Sequence, residues 1–383
     1  MTHRPVLAAV LAALAAALAI VPAASPGDGH GKKAKKSDAA DVVFVQTNEL
    51  TGNRIVVYDR AGDGHLTPAG TYPTGGNGGA ALPGAESDRL ASQGSLVYVP
   101  EQRLLLAANA GSDTVSTFSV HGDELELENV VPSGGQFPAS IAVQRKIVYV
   151  LNAGGTGIVQ GFRIHKHGLK PIRDSARTLG LANTNPPNFL MSPGQVGFTP
   201  DGRQLIVTTK ASGSMIDVFG VEHNGRLSEQ PVRNLSATPV PFAFTFAGNR
   251  LAMGEAGVSA VTTYVVEHDG IVTDPKSLSD NEVALCWIQQ VGAFFYVSNT
   301  GSNTLSGYRI GPDGQPTLIG ATGVVATTEP GPIDLTSPPG TRFLYAETGG
   351  GTVDVFRVEN DGALTKLGVV GGLPPGIEGI AST

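Results

Sequence analysis

An aromatic residue recurs at near-constant spacing along the chain, and this repeat limits the possible folds more than any other feature. Tyr58, Phe118, Phe162, Phe219, Tyr264, Tyr308 and Phe356 each close a short apolar run, at steps of 60, 44, 57, 45, 44 and 48 residues. The clearest copy is residues 294–314. An apolar run at 294–297 breaks at Ser298-Asn299-Thr300-Gly301-Ser302-Asn303, a second run covers 304–310, and Pro312-Asp313-Gly314 closes the unit. Each run is one strand long, and Asn, Asp and Gly accept the positive φ angles of tight turns. A lone hairpin of this kind cannot bury its own apolar face, so the unit must stack on copies of itself. A period of ~45 residues made of short strands is the mark of a β-propeller with one four-stranded blade per repeat. Seven anchors predict an all-β, seven-bladed β-propeller. Its 51 Gly and 26 Pro among 383 residues suit a turn-rich closed sheet array, which can run to this length as one domain.

The two ends of the chain carry separate signals. Residues 1–24 read as an export signal: Arg4, an Ala- and Leu-rich apolar run at 6–21, and the small residues Pro22-Ala23-Ala24 at a cleavage-like site. The run is short for a spanning helix, and the expected location is extracellular or cell-wall associated. Residues 25–41, with Lys32-Lys33-Ala34-Lys35-Lys36, read as a disordered linker, and its lysines offer weak electrostatic tethering at most. The propeller is expected over 42–383. Its first blade shows only three strands, at 42–48, 54–59 and 66–72, whereas every later blade is preceded by a further short run. The missing run stands at the C-terminus, 377–382. It is therefore expected to be the inner strand of blade one and to close the ring by pairing with the N-terminal blade, which removes an open edge.

Lettering the strands of a blade A to D from the inside outwards fixes which loops share a face. D-to-A connections and B-to-C turns lie on one face, and A-to-B turns and C-to-D hairpins on the other. The first face holds the two longest connections, 74–94 and 179–194, and loops this long in a compact fold tend to serve binding. The B strands end there with Asn109, Asn152, Lys210, Glu255, Asn299 and Glu347. Glu255 and Lys210 are the expected acid/base and charge-stabilising residues, and Asn109, Asn152, Asn299 and Glu347 the expected substrate contacts. Plain turn capping is the alternative for the three Asn residues.

The formal charge of −7 without a basic cluster in the repeats excludes a nucleic-acid surface. The lone Cys286, beside Trp287 in an apolar run, reads as a small buried hydrophobe. His65, His121, His165, His167, His223 and His268 all fall at C-to-D hairpins, away from the first face, and no G-x-S-x-G nucleophile motif is present. No cofactor is expected. Glu49, Glu255 and Glu347 with nearby Asn amides form the one alternative oxygen set, for Ca²⁺. The expected partner is a small polar molecule in the central funnel of a monomer with no membrane span.

Three motifs carry a family resemblance: the Asn-x-Gly turn with Thr-Val-Ser-x-Phe (109–118), the Thr199-Pro200-Asp201-Gly202-Arg203 turn, and the Asp-Gly-x-Leu hairpins. Over 42–383 the chain resembles the seven-bladed β-propeller lactonases, which include propeller-type 6-phosphogluconolactonases and carboxy-muconate lactonizing enzymes. The resemblance implies hydrolysis or formation of the lactone ring of a small sugar-acid-like substrate. The family's His and Arg positions are not matched: the corresponding segments read Met191-Ser192-Pro193-Gly194-Gln195, Val240-Pro241-Phe242 and Thr300, with an acidic turn replaced by Thr209-Lys210-Ala211-Ser212-Gly213. Glu255 matches the family's Glu. A non-catalytic propeller binding a small polar ligand, a glycan or a protein is the alternative reading.

Overall fold

The computed structural model describes residues 41–82, 87–166 and 168–383; the export signal and linker expected over 1–41 lie outside it except for Asp41. Seven antiparallel sheets form seven blades. Blade one is assembled from Val42–Gln46, Arg54–Arg60 and Leu66–Pro73, with Ile380–Ser382 as its innermost strand. Val43 pairs with Ser382 and Val45 with Ile380 in antiparallel register, closing the ring as expected. Inner strands of the later blades are Leu96–Val99, Pro138–Gln144, Gln195–Phe198, Pro241–Ala247, Leu285–Val291 and Pro332–Thr336. In blades three and six the outermost strand is split in two. Gly168–Pro171 and Arg177–Thr178 both pair with Ile158–His165, and Pro316–Leu318 and Val324–Thr327 both pair with Thr304–Ile310.

The core lies between blades, which explains why the inner strands are apolar on both faces. In Val42–Gln46 every residue is buried. Val42 and Phe44 pack on blade two, with Leu105 and Phe118, while Val43 and Val45 pack on blade seven, with Tyr345 and Val355. The seven aromatic anchors each enter the cluster shared with the preceding blade, as Phe219 does with Tyr149 and Leu151.

The Asp-Gly and Asn-Gly hairpins also join blades. Tyr345 Oη donates to Gly64 O of blade one at 2.9 Å, Tyr149 to Gly225 O of blade four at 2.8 Å, and Tyr296 to Gly362 O of blade seven at 2.8 Å. Gly362 has φ +95°, and a Cβ there would lie 2.7 Å from the Phe294 ring, so both conformation and space demand glycine. These hairpins lie on the face opposite the long connections and the candidate site.

Candidate functional site

Strand register divides the six expected site residues into two groups. Asn109, Asn152, Glu255 and Asn299 each stand four residues beyond the partner of their blade's anchor aromatic: Leu105, Val148, Leu251 and Phe295. Glu347 stands only three beyond Leu344, so it projects from the opposite side of its strand. Lys210 stands five beyond Leu205, in a turn at φ +48°.

The first group is held between strands. Glu255 is fully buried and accepts hydrogen bonds from four hydroxyls, those of Ser236, Thr238, Thr262 and Tyr264. Two of these donors sit on the neighbouring strand Ala260–Val266, so the carboxylate is directed into the sheet array. The acid/base role expected of Glu255 finds no support in this geometry. Asn109 donates to Ser116 Oγ at 2.8 Å and accepts from Thr74 Oγ1 at 2.7 Å and Asn53 Nδ2 at 2.9 Å. Asn299 donates to Thr304 Oγ1 at 3.1 Å and Ser306 Oγ at 2.8 Å, and Asn152 to the carbonyls of Ser133 and Ile158. All three are fully buried, and they tie a strand end to its neighbours as the turn-capping alternative holds.

Lys210 bonds instead, through Ala91 O, to a segment that the sequence marked only as long and irregular, while Glu347 accepts from Gly379 N at 2.7 Å just before the closing strand. Residues 88–94, in the connection from blade one to blade two, make contacts across the ring. Trp287 Nε1 of blade six donates to Ser92 O at 3.0 Å, and the Gln93 amide exchanges bonds with the Ile288 backbone at 3.2 and 3.0 Å. Gln93 N donates to Gly194 O at 3.0 Å, and Ser140 Oγ of blade three to Gln93 O at 2.7 Å. Gly94 N reaches Asp334 Oδ2 of blade seven at 3.4 Å, and Leu90 N donates to Glu378 Oε2 at 2.7 Å, just before the closing strand. Segment 88–94 thus contacts five blades besides its own and plugs the channel. Ala91 takes φ +55°, a strained conformation for a residue with a Cβ that these contacts hold in place.

Three acidic groups, Asp334, Glu347 and Glu378, and the buried Lys210 interact with this plug and its own Asp88. Glu347 and Glu378 are fully buried, and both carboxyls titrate well above the ordinary carboxylate range. Burial is the main cause for each, with Asp334 adding charge repulsion at Glu347 and Asp88 at Glu378. Burial likewise pushes Asp334 up to about 7. Asp88 is raised by burial too, although its interaction with Glu378, the Lys210 charge and the N–H groups of Ala91 and Ser92 pull the other way. Asp88 and Glu378 are in contact, and two carboxylates so placed resist double ionisation. Burial draws Lys210 down to about 8, against the attraction of Asp88. Its Nζ donates to Ala91 O at 2.6 Å and to Phe189 O, bridging the two long connections, and lies 5.0 Å from the centre of the Phe242 ring. Two of three ammonium protons are thus engaged and one is left.

Beside Lys210 is a cavity of about 330 Å³ lined by Asp88, Phe189, Leu190, Lys210, Val240, Phe242, Ala256, Gly257, Ala284 and Cys286. Val240 and Phe242 belong to the segment Val240-Pro241-Phe242, which stands where the resemblance expects Arg-His. A larger cavity of about 560 Å³ lies at the ring closure, but its Arg60 is already paired with Asp41 at 2.8 Å, and none of the cluster above reaches it. Glu49 is also apart, bonded to Arg54 at 2.8 Å. Among the described residues no group of three or more His, Cys, Asp or Glu is arranged to hold a metal ion, and no helix is long and apolar enough to cross a membrane.

Of the charged cluster, sequence reasoning singled out Lys210 and Glu347 but not Asp88, Asp334 or Glu378. Asp88 lies in a long connection flagged as functional. Glu378 lies in a segment read only as a strand, so no sequence signal marked its charge.

Residues 23–171 match the family model described as lactonase, seven-bladed β-propeller. No curated protein sequence matches the chain. A candidate 6-phosphogluconolactonase from Bacteroides uniformis aligns at TM-score 0.71 and 18% identity, over 91% of this chain and 100% of its own. The periplasmic gluconolactonase of Pseudomonas aeruginosa aligns at TM-score 0.68 and 17% identity, over 89% and 99%. At these identities the structural likeness shows the fold alone. With the family match over 23–171 and a complete seven-bladed ring, the chain resembles the β-propeller lactonases.

Proposed function

We propose that the protein is an exported lactone hydrolase that works in the cavity beside Lys210. The observation carrying this reading is that Asp88 and Lys210 both line the wall of an otherwise apolar cavity. A half-buried carboxylate with a raised pKa suits a general base, and an ammonium with one free proton suits an oxyanion. In this scheme Asp88 takes a proton from water as its oxygen bonds to the lactone carbonyl carbon, and Lys210 faces the resulting oxyanion. The ring C–O bond then breaks and the proton passes to the departing alkoxide, giving a hydroxy acid. Water is the sole co-reactant. In this reading Glu347, which accepts from Gly379 N beside the closing strand, supports the ring closure, and Glu255 and the three Asn residues support the blades.

The test is a panel of γ- and δ-lactones assayed with wild type, Asp88→Asn and Lys210→Met. General acid–base and oxyanion contributions of this kind are worth about a hundredfold or more, so kcat/KM is expected to fall by at least that in each folded variant. The alkaline limb of the wild-type profile is expected near pH 8, where Lys210 loses its proton. Turnover that persists within a factor of a few in both variants would overturn the mechanism. If no lactone is hydrolysed while a hydroxy acid raises Tm, the non-catalytic binding reading replaces it. Residues 1–24 support export, and N-terminal sequencing of protein recovered from the medium is expected to begin at Ser25.

A further inference from the structure

We infer that the molecule taken by this cavity is an apolar lactone carrying an aliphatic chain, not a polyhydroxylated or phosphorylated one; the inference rests on the reading just given. Apart from Asp88 and Lys210, every side chain lining the cavity is apolar or a thiol, Phe189, Leu190, Val240 and Phe242 providing the bulk. A sugar lactone would bring several hydroxyls into a space with two polar side chains, and each hydroxyl left without a partner costs it tenfold or more in affinity. A phosphoryl group would need a second cation or a bidentate guanidinium, and neither lines the cavity.

The mouth continues the apolar surface outwards. Leu190 is both a lining residue and 42% exposed. Val258 follows the lining Gly257 in the chain and is 44% exposed; Val283 precedes the lining Ala284 and is 60% exposed. Large aliphatic side chains exposed beside an apolar cavity mark a binding surface when they are contiguous with it. The cavity accommodates the ring, with its carbonyl towards Lys210, and the rim covers a chain leaving the mouth.

The experiment compares γ-butyrolactone, γ-decalactone and glucono-δ-lactone, with each rate measured on wild type, Val283→Asp and Leu190→Asp. Each methylene buried on binding contributes about fourfold, so kcat/KM for γ-decalactone is expected to exceed that for γ-butyrolactone by about tenfold or more. Both Asp variants are expected to lower that ratio, a readout that does not depend on how much of the variant is folded. A ratio near one, or preference for glucono-δ-lactone, would overturn the inference and leave lactone hydrolysis standing. If none of the three is hydrolysed, the hydrolase reading fails instead, and thermal shift decides the ligand class. Stabilisation by γ-decalactone but not glucono-δ-lactone supports the apolar ligand, and the reverse rejects it.

Discussion

Glu255 and Lys210 stood out in the sequence for the same reason: each breaks the habit of Asn at the end of a B strand. Their surroundings differ because side chains alternate across a strand, and a shift of one position exchanges the channel for the space between strands. Aromatic spacing located the blades but did not fix this final step, which depends on where each strand stops pairing. At Glu255 four hydroxyls converge on one carboxylate. Glu255→Gln replaces an oxygen acceptor by an amide donor facing hydroxyls that already donate. The cost of leaving a buried polar group unsatisfied is about 1–3 kcal/mol. The variant is therefore expected to have a lower urea midpoint, with kcat/KM for any substrate of the folded protein within a few-fold of wild type. A hundredfold loss of turnover at unchanged stability would restore Glu255 as an acid/base residue.

At the level of elements, regular strands were readable and the plug was not. Strands repeat a pattern that period and turn chemistry expose, whereas 88–94 has no repeat and is positioned by partners on five other blades. Its long-range bonds, such as Trp287 Nε1 to Ser92 O, join residues that no local signal connects. The same packing buries carboxyls beside the plug, with a consequence for pH. Asp334 titrates near 3.9 in an unfolded chain and at about 7 when folded. Between those values the folded protein binds a proton that the unfolded chain has released, so stability falls as pH rises through the window. Glu347 and Glu378 act in the same direction. Thermal melts are expected to show Tm dropping by a few degrees from pH 5 to pH 7.5, with a shallower slope in Asp334→Asn. A Tm that rises over this range in wild type would mean that the cluster is ionised in the folded state.

For the whole molecule, the closing strand decides whether seven blades form a ring or an open array. Its position was legible because blade one lacked a strand that every other blade possessed, and because a closed ring is the arrangement that leaves no sheet edge. Ile380–Ser382 contributes only three paired residues, yet it is the innermost strand of blade one, and Gln46 N to Gly379 O at 2.8 Å and Thr383 N to Val42 O at 3.1 Å extend the pairing at both ends. The adjoining Ile377 and Glu378 are buried, the first against blades one and seven and the second bonded to the plug at Leu90 N. Removing residues 377–383 would expose the edge of Val42–Gln46, open the shared core between blades one and seven, and release one end of the plug. Because neighbouring blades support each other's apolar faces, the loss is expected to spread round the ring, giving a lower Tm and a broader unfolding transition than wild type. Supplying the segment as a separate peptide tests whether the edge itself is responsible, since an unpaired inner edge is a template for strand addition. The peptide is expected to raise the Tm of the truncated protein and leave the full-length one unchanged. A truncated protein that melts at the wild-type temperature, with no response to peptide, would show that the ring holds without this closure.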